Sequence, residues 1–190
     1  MKPKIVLFFL FLSVNFIVFA QKKNKQQTYE QPKFTISDKT NQITYSEVIE
    51  LNGTPDELYN KGLSWYKTYY KNPTNVIRTQ DKTNYKILGK ARFKILNPPN
   101  KKGLKTMAGI VQYTIKIAFK DGKYRYVIDD INLKQTSKYP VERWLADKGA
   151  YYSPKNNFYL QQVDENMKKT IDNLKKYMTK PKVTNNEDDW

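Results

Sequence analysis

The side chains that could perform acid–base chemistry in this chain are carboxylates and lysines, because its 190 residues include neither cysteine nor histidine. This composition excludes cysteine nucleophiles, serine–histidine pairs, histidine metal sites and zinc–thiolate sites. A glycine-rich phosphate loop is not indicated either, since the segment GLKTMAG lacks the required spacing. Catalysis would therefore need two converging carboxylates or a serine–lysine pair.

Two groups of acidic residues are candidates for a pair of carboxylates. Asp129 and Asp130 are neighbours in a predicted strand, so their side chains should point to opposite faces and could not share a substrate. Glu142 and Asp147 lie near Arg143 in a connecting segment, where surface ion pairs are the simpler interpretation. The sequence therefore predicts a protein that is not an enzyme, with no catalytic residues, no cofactor and no metal site.

The N-terminal residues predict export. After two lysines among the first four residues, the stretch Ile5–Phe19 carries no charge, and Val18 and Ala20 suit a signal-peptidase cut after Ala20. A signal anchor is the alternative, but the apolar stretch is short for a membrane span of about 20 residues. We predict a cleaved signal peptide over residues 1–20, a periplasmic or extracellular location and no transmembrane segment in the mature chain.

The rest of the chain predicts one domain with two unstructured ends. Residues 21–32 show no hydrophobic periodicity and predict a mobile mature N-terminus. Residues 33–178 have the length of a single domain with a real core. Residues 179–190 include an acidic cluster and predict a disordered tail. The formal net charge of +16 could attract an acidic partner or could only keep the surface soluble.

Two amphipathic helices are predicted in this domain. The first begins at Thr54, which with Glu57 forms a T-x-x-E capping box, and should end near Lys71. Its aromatic residues lie on two adjacent stripes: Tyr59, Trp65, Tyr66, Tyr69 and Tyr70. They could form a stacking platform for a ligand, but stripes at helical spacing favour burial against a sheet. The second helix, over residues 158–178, has a single apolar face.

The strands predict an antiparallel sheet. A hairpin before the first helix is followed by strands whose apolar and basic residues alternate. Asp121 and Gly122 fit a two-residue type I′ turn, which sets Phe119 opposite Tyr124. The order of hairpin, helix, strands and helix predicts an α+β fold, an antiparallel sheet with both long helices on one face.

The sheet face away from the helices, called the open face below, is predicted to be basic. It should carry Lys86, Lys90, Arg92, Lys94, Lys116 and Arg125. These cations are candidates for binding an acidic polymer or a protein partner, although solubilising an uncovered sheet is the simpler interpretation. Aromatic side chains are nearly absent from this face, which argues against a nucleic-acid partner.

Three segments resemble a known family. They are ELYNKGLSWYKTYY, VIRTQDKTNYKILGKARF and GIVQYTIKIAFKDGKYRYVIDDI, within residues 34–178. They are similar to DUF4468, a family of exported Bacteroidota proteins. The similarity lies in the Trp65–Tyr66 pair, Asp81, the Gly89–Lys90 step and the KDGKYR turn. The segment TNYKIL departs from the glycine turn expected there. The resemblance implies a TBP-like fold (TBP is the TATA-binding protein) and export, with no activity and no site residues.

These observations lead to three hypotheses about function. The first is an exported, non-enzymatic binding or accessory domain of the bacterial envelope that holds an acidic polymer or a protein on the open face. The second is a carrier of an apolar small molecule, which requires an internal cavity lined by Trp65, Tyr66, Phe93 and Met167. The third is a hydrolase with two carboxylates in a cleft.

Overall fold

The computed structural model describes residues 28–146, residue 150 and residues 152–181. The predicted signal peptide over residues 1–20 lies outside the described residues. In chain order the elements are β1 (Tyr45–Glu50), α1 (Pro55–Tyr69), α2 (Pro73–Val76), β2 (Ile77–Asp81), β3 (Lys86–Leu96), β4 (Met107–Lys120), β5 (Lys123–Leu133), β6 (Tyr139–Pro140), a 3-10 turn (Val141–Trp144) and α3 (Pro154–Thr179).

The strands form one antiparallel sheet with the order β1-β5-β4-β3-β2, and the short β6 also pairs with β5. The helices α1 and α3 lie side by side, since the indole N–H of Trp65 donates to the Asn173 side chain at 2.9 Å. Both helices contribute to one core with the apolar face of the sheet. The predicted α+β architecture is confirmed. The predicted N-terminal hairpin is present but short: a bridge joins Ile36 and Ile43, and backbone hydrogen bonds join Ser37 to Gln42 and Thr44 to Thr35.

The sequence predicts the start of α1 correctly. The Glu57 N–H donates to the Thr54 hydroxyl at 3.3 Å, and the Thr54 N–H donates to the Glu57 carboxylate at 3.0 Å. Both halves of the capping box are therefore present, and they satisfy two backbone donors that the helix itself leaves free.

The β4–β5 hairpin has the predicted register but not the predicted turn. Phe119 lies opposite Tyr124, as expected from the alternation of apolar residues. Gly122 has a φ of 68°, but Asp121 has no positive φ, whereas a type I′ turn needs one at both positions. The Gly122 N–H donates to the Gly53 carbonyl and its carbonyl accepts from the Leu51 N–H, so the end of β1 holds the turn in a different conformation.

Part of the segment expected to be mobile, residues 28–32, lies against α3. The Asn157 side chain donates to the Tyr29 carbonyl at 2.8 Å, and the Tyr29 ring centroid is 4.6 Å from that of Phe158. These contacts attach residues near Tyr29 to the domain. The predicted mobility of residues 21–32 stays a prediction, and residues 21–27 lie outside the described residues.

The space between α1 and the sheet is filled. Trp65, Tyr66 and Met167 have no exposed surface, so the aromatic stripes of α1 are core and not a stacking platform. Two glycines mark close approaches: a Cβ atom would lie 2.2 Å from the Phe119 ring at Gly62 and 2.6 Å from the Tyr66 ring at Gly89. The Tyr66 hydroxyl donates to the Ile115 carbonyl of β4 at 3.0 Å, which fixes the ring between helix and sheet.

Glu142 is buried, and the expectation of a surface ion pair at this residue is wrong. Its Oε1 atom accepts a hydrogen bond from the Ile43 N–H at 2.7 Å, while its Oε2 atom is buried without a hydrogen-bond partner among the described residues. Burial is the main cause that raises the pKa of Glu142 above its ordinary value, opposed by hydrogen bonds and by the charge of Lys138 and reinforced by Asp130. Asp147 lies outside the described residues.

Glu142→Gln is expected to gain stability relative to the natural chain as the pH rises. Folding raises the pKa of the Glu142 carboxyl. Its contribution to the stability of the folded chain is therefore fully present below its ordinary pKa of 4.5 and is lost as the pH rises through the raised pKa. The melting temperature of each chain is measured at pH 4 and at pH 7. The melting temperature of the variant minus that of the natural chain should be larger at pH 7 than at pH 4. Glu50→Gln, at an exposed position, is the control. A difference at Glu142 that does not change with pH would contradict the assignment.

Candidate functional site

All six cations predicted for the open face are found there. Lys86, Lys90, Arg92 and Lys94 are exposed along β3 and alternate with residues that face the core. Lys116 on β4 and Arg125 on β5 are exposed on the same side of the neighbouring strands. The period of two in each strand, together with the β3-β4-β5 order, brings them onto one surface. Their role in binding stays a prediction.

The cations are separated from one another by polar and apolar side chains. Arg92 lies opposite Gln112, and Lys116 lies between Leu88 on β3 and Val127 on β5. The half-buried Leu88 and Val127 belong to the lining of a shallow cleft of about 440 Å³ whose other lining residues include Lys86, Lys116 and Arg125. The open face is therefore a mixed surface that combines spaced positive charges with a small apolar floor.

Two aspartates reduce the positive charge of the open face. The Lys116 ammonium lies 2.6 Å from the Asp129 carboxylate, and Asp130 pairs with Lys138 at 2.6 Å and with Lys90 at 3.8 Å. The expectation that Asp129 is a charge partner on this face is confirmed. Among the described residues no ion pair joins Lys86, Arg92, Lys94 or Arg125 to a carboxylate, so these four carry the unpaired positive charge.

The expectation that Asp129 and Asp130 point to opposite faces is wrong, because a β-bulge intervenes. The register between β4 and β5 shifts between Gln112 and Thr114, and Asp130 has a φ of 53°. Both carboxylates consequently contact lysines of the open face. The sequence does contain a signal for this bulge, since the core residues Ile128 and Ile131 are three positions apart in a strand that otherwise alternates.

The pKa of Asp130 shows how strongly it is paired. Burial alone would raise this pKa, but hydrogen bonds from Lys138 and Asn132, with the charges of Lys138 and Lys90, hold it below its ordinary value. The carboxylate is therefore ionised at neutral pH and committed to the lysines around it. An acid–base role, which needs a carboxyl that can exchange its proton near neutral pH, is not supported at this residue.

A second cleft, which the sequence analysis did not find, lies beside the open face at the edge of β3. This edge cleft has a volume of about 590 Å³ and lies between the C-terminal end of α1, α2, β2, β3 and α3. Its charged lining residues are Lys71, Arg78, Lys90 and Arg92. It has no carboxylate in its lining, in contrast to the middle of the open face. The edge cleft therefore favours negatively charged groups.

The inner wall of the edge cleft is aromatic and uncharged. The hydroxyl oxygens of Tyr70 and Tyr113 lie 3.1 Å apart, and the Phe93 ring centroid is 6.2 Å from that of Tyr113. Burial raises the pKa of the Tyr70 and Tyr113 hydroxyls, so both stay protonated and neutral at physiological pH. This wall can pack against an apolar or aromatic side chain while the rim holds the cations.

Neither a metal site nor a membrane span is present in the part of the chain that the structure describes. Within it, no three acidic side chains lie close enough together to bind a metal ion. None of its helices combines the length and the apolar character needed to cross a bilayer.

Comparisons with known proteins identify the fold. Residues 45–134 match the sequence model of a family described as a domain of unknown function (DUF4468) with TBP-like fold. The crystal structure of a DUF4468 family protein from Bacteroides ovatus is similar, with a TM-score of 0.62 and 17% identity over 79% of this chain and 92% of that one. A TBP-like protein from Parabacteroides distasonis has a TM-score of 0.51 and 20% identity over 74% and 97%. No curated protein matches the chain.

Proposed function

From the match of residues 45–134 to the DUF4468 family model, a family of unknown function, we propose that the chain is an exported, non-enzymatic binding domain whose open face holds an acidic partner. The partner is an acidic envelope polymer or an acidic protein surface. Export is inferred from residues 1–20 alone, with the signal peptide cut after Ala20. The binding proposal rests on the six cations of the open face.

The observation that carries the proposal is the unpaired charge of this face. Arg92, Lys94 and Arg125 are exposed, are not neutralised by a carboxylate among the described residues, and lie on a sheet surface that neither α1 nor α3 covers. Exposed charges of one sign attract an oppositely charged partner over roughly the Debye length of about 8 Å at physiological salt.

The two other hypotheses lack a supporting observation. A carrier would need a cavity between helices and sheet, but Trp65, Tyr66 and Met167 are fully buried and tightly packed there. A hydrolase would need two free carboxylates in a cleft, but Asp129 and Asp130 are each paired with lysine. We therefore do not propose either function.

Replacing four open-face cations by glutamine is expected to weaken binding to a polyanion without unfolding the domain. In the variant Lys90→Gln, Arg92→Gln, Lys94→Gln and Lys116→Gln, four exposed contacts of roughly 0.5 kcal/mol each are lost, or about tenfold or more in affinity. Elution from a heparin column at increasing salt measures the loss. The melting temperature should change little, because these side chains are exposed.

The control removes the same number of charges from the helical side of the domain. Its substitutions are Lys67→Gln, Lys155→Gln, Lys169→Gln and Lys176→Gln, all at exposed positions of α1 and α3. This variant should elute close to the natural chain. Equal shifts in both variants would mean that only the overall charge matters, and would reject the open face as the binding surface.

A further inference from the structure

The strand β3 has an unpaired stretch of edge. The strand β2 pairs with β3 only from Lys86 to Gly89, and no strand among the described residues pairs with residues 90–95 on that side. At Leu96 the side-chain amide of Gln162 from α3 takes the place of a strand. Its Oε1 atom accepts from the Leu96 N–H at 2.8 Å, and its Nε2 atom donates to the Leu96 carbonyl at 2.9 Å. The unpaired stretch between these two points measures about 20 Å.

The backbone groups on this edge belong to the basic residues. In an antiparallel strand, alternate residues direct their N–H and C=O groups to opposite neighbours. The Tyr85 carbonyl accepts from the Phe119 N–H of β4, whereas the groups of Leu96 face the outer side, and the register with β4 is regular from Lys86 to Ile95. The residues whose N–H and C=O groups face outward are therefore Lys90, Arg92 and Lys94.

The edge cleft lies along this unpaired stretch and gives it two chemically different sides. On the open face, the side chains of Lys90, Arg92 and Lys94 stand beside the edge. On the opposite side, Ala91 and Phe93 line the edge cleft. A strand lying there in line with β2 would thus meet positive charge on one face and apolar or aromatic surface on the other.

We propose that the unpaired edge of β3 binds an extended acidic peptide segment, which adds to the sheet as an antiparallel strand. This inference rests on the proposed function, because Lys90, Arg92 and Lys94 belong to the open face. The backbone of Arg92 and Lys94 supplies ladder hydrogen bonds, and the side chains select acidic residues at alternate positions. The residues between them are apolar and contact Phe93 and the edge cleft.

A second copy of the chain is a poorer occupant of this edge. Pairing two copies along β3 would set Lys90, Arg92 and Lys94 of one copy beside the same cations of the other, and like charges on neighbouring strands are destabilising. A peptide with alternating acidic residues removes this repulsion and also satisfies the unpaired backbone groups.

The test uses the exported chain, residues 21–190, and a fluorescein-labelled peptide of eight residues that alternates Glu and Val. In the proposed antiparallel pair, the peptide residue opposite Arg92 has its side chain on the open face, so it is a Glu. Its N–H and C=O groups both form hydrogen bonds with the backbone of Arg92. N-methylation of the Glu amides should therefore weaken binding at least tenfold in fluorescence anisotropy, since it removes several ladder bonds. N-methylation of the Val amides, which point away, should change the affinity less than about threefold.

Matched triple variants locate the site on the protein. The variant Lys90→Gln, Arg92→Gln and Lys94→Gln should lose most peptide binding. The control Lys67→Gln, Lys169→Gln and Lys176→Gln removes the same charge from exposed positions of α1 and α3, outside the open face, and should retain it. Equal losses would overturn the edge site.

The remaining outcomes separate this inference from the function on which it rests. If both methylated peptides bind as well as the unmodified one, strand addition is wrong, while binding by the open face stands. If the unmodified peptide and heparin both fail to bind, the proposed function itself is wrong. A tenfold gain in peptide affinity on removal of residues 182–190 would show that the chain's own acidic tail occupies the edge. A dimer that is seen by sedimentation and dissociates when the peptide is added would show that a second copy occupies it. Either result overturns the inference.

Discussion

Replacing Trp65 by alanine is expected to lower the free energy of unfolding by about 3–5 kcal/mol. The side chain has no exposed surface, and its ring stacks on Tyr69 with centroids 5.2 Å apart and an interplanar angle of 15°. Its edge-to-face contact with Tyr66 has a centroid distance of 4.9 Å. The hydrogen bond from its indole N–H to the Asn173 side chain joins α1 to α3. Truncation to alanine therefore removes a link between the two helices in addition to opening a cavity. Urea denaturation followed by far-UV circular dichroism measures the loss.

Two controls separate the packing of Trp65 from its hydrogen bond. Trp65→Phe keeps a large ring but loses the indole N–H, so its loss should be smaller than that of Trp65→Ala. Leu104→Ala removes an exposed apolar side chain and should change the stability by less than about 0.5 kcal/mol. A loss below about 1 kcal/mol for Trp65→Ala would show that the ring is not packed between the helices and the sheet.

Gly62→Ala is expected to destabilise the domain by up to about 2 kcal/mol, although alanine is the better helix former. The new Cβ atom would lie 2.2 Å from the Phe119 ring at Gly62, closer than van der Waals contact permits. Phe119 cannot easily move away, because it is buried and its ring makes an edge contact with Tyr59 at 5.9 Å. Overpacking of this kind costs about 1–3 kcal/mol, against roughly 1 kcal/mol gained from helix propensity.

The sign of the Gly62 effect can be checked within the same helix. Ser64→Ala lies on the exposed side of α1 and should change the stability by only a few tenths of a kcal/mol. In a chain that already carries Phe119→Leu, the smaller side chain leaves more room for the new Cβ atom. Gly62→Ala should therefore lower the free energy of unfolding less in that background than in the natural chain. A stabilising Gly62→Ala would mean that α1 lies further from β4 than the structure indicates.

Local patterns in the sequence are sufficient to predict much of the fold. The capping box at Thr54, the aromatic stripes of α1 and the β4–β5 register each depend on residues near one another in the chain. The six cations of the open face were predictable for the same reason, because a period of two in β3 fixes the face of every side chain.

Features that depend on distant segments were not predicted. The partner of Glu142 is the N–H of Ile43, 99 positions away, so nothing near Glu142 in the sequence indicates that it is buried. The turn at Asp121 follows from its contacts with the end of β1. The edge cleft exists because β2 begins only at Ile77, opposite Gly89, while β3 continues to Leu96, which only the assembled sheet shows.

The side chain of Gln162 has a consequence for self-association. By occupying the N–H and the C=O of Leu96, it ends the template that β3 offers to any further strand. Fibril growth requires an uninterrupted ladder of backbone bonds from one molecule to the next. Copies of this protein could extend such a ladder past Leu96 only after that amide is displaced, so one residue of α3 limits the edge that β3 offers for self-association to residues 90–95.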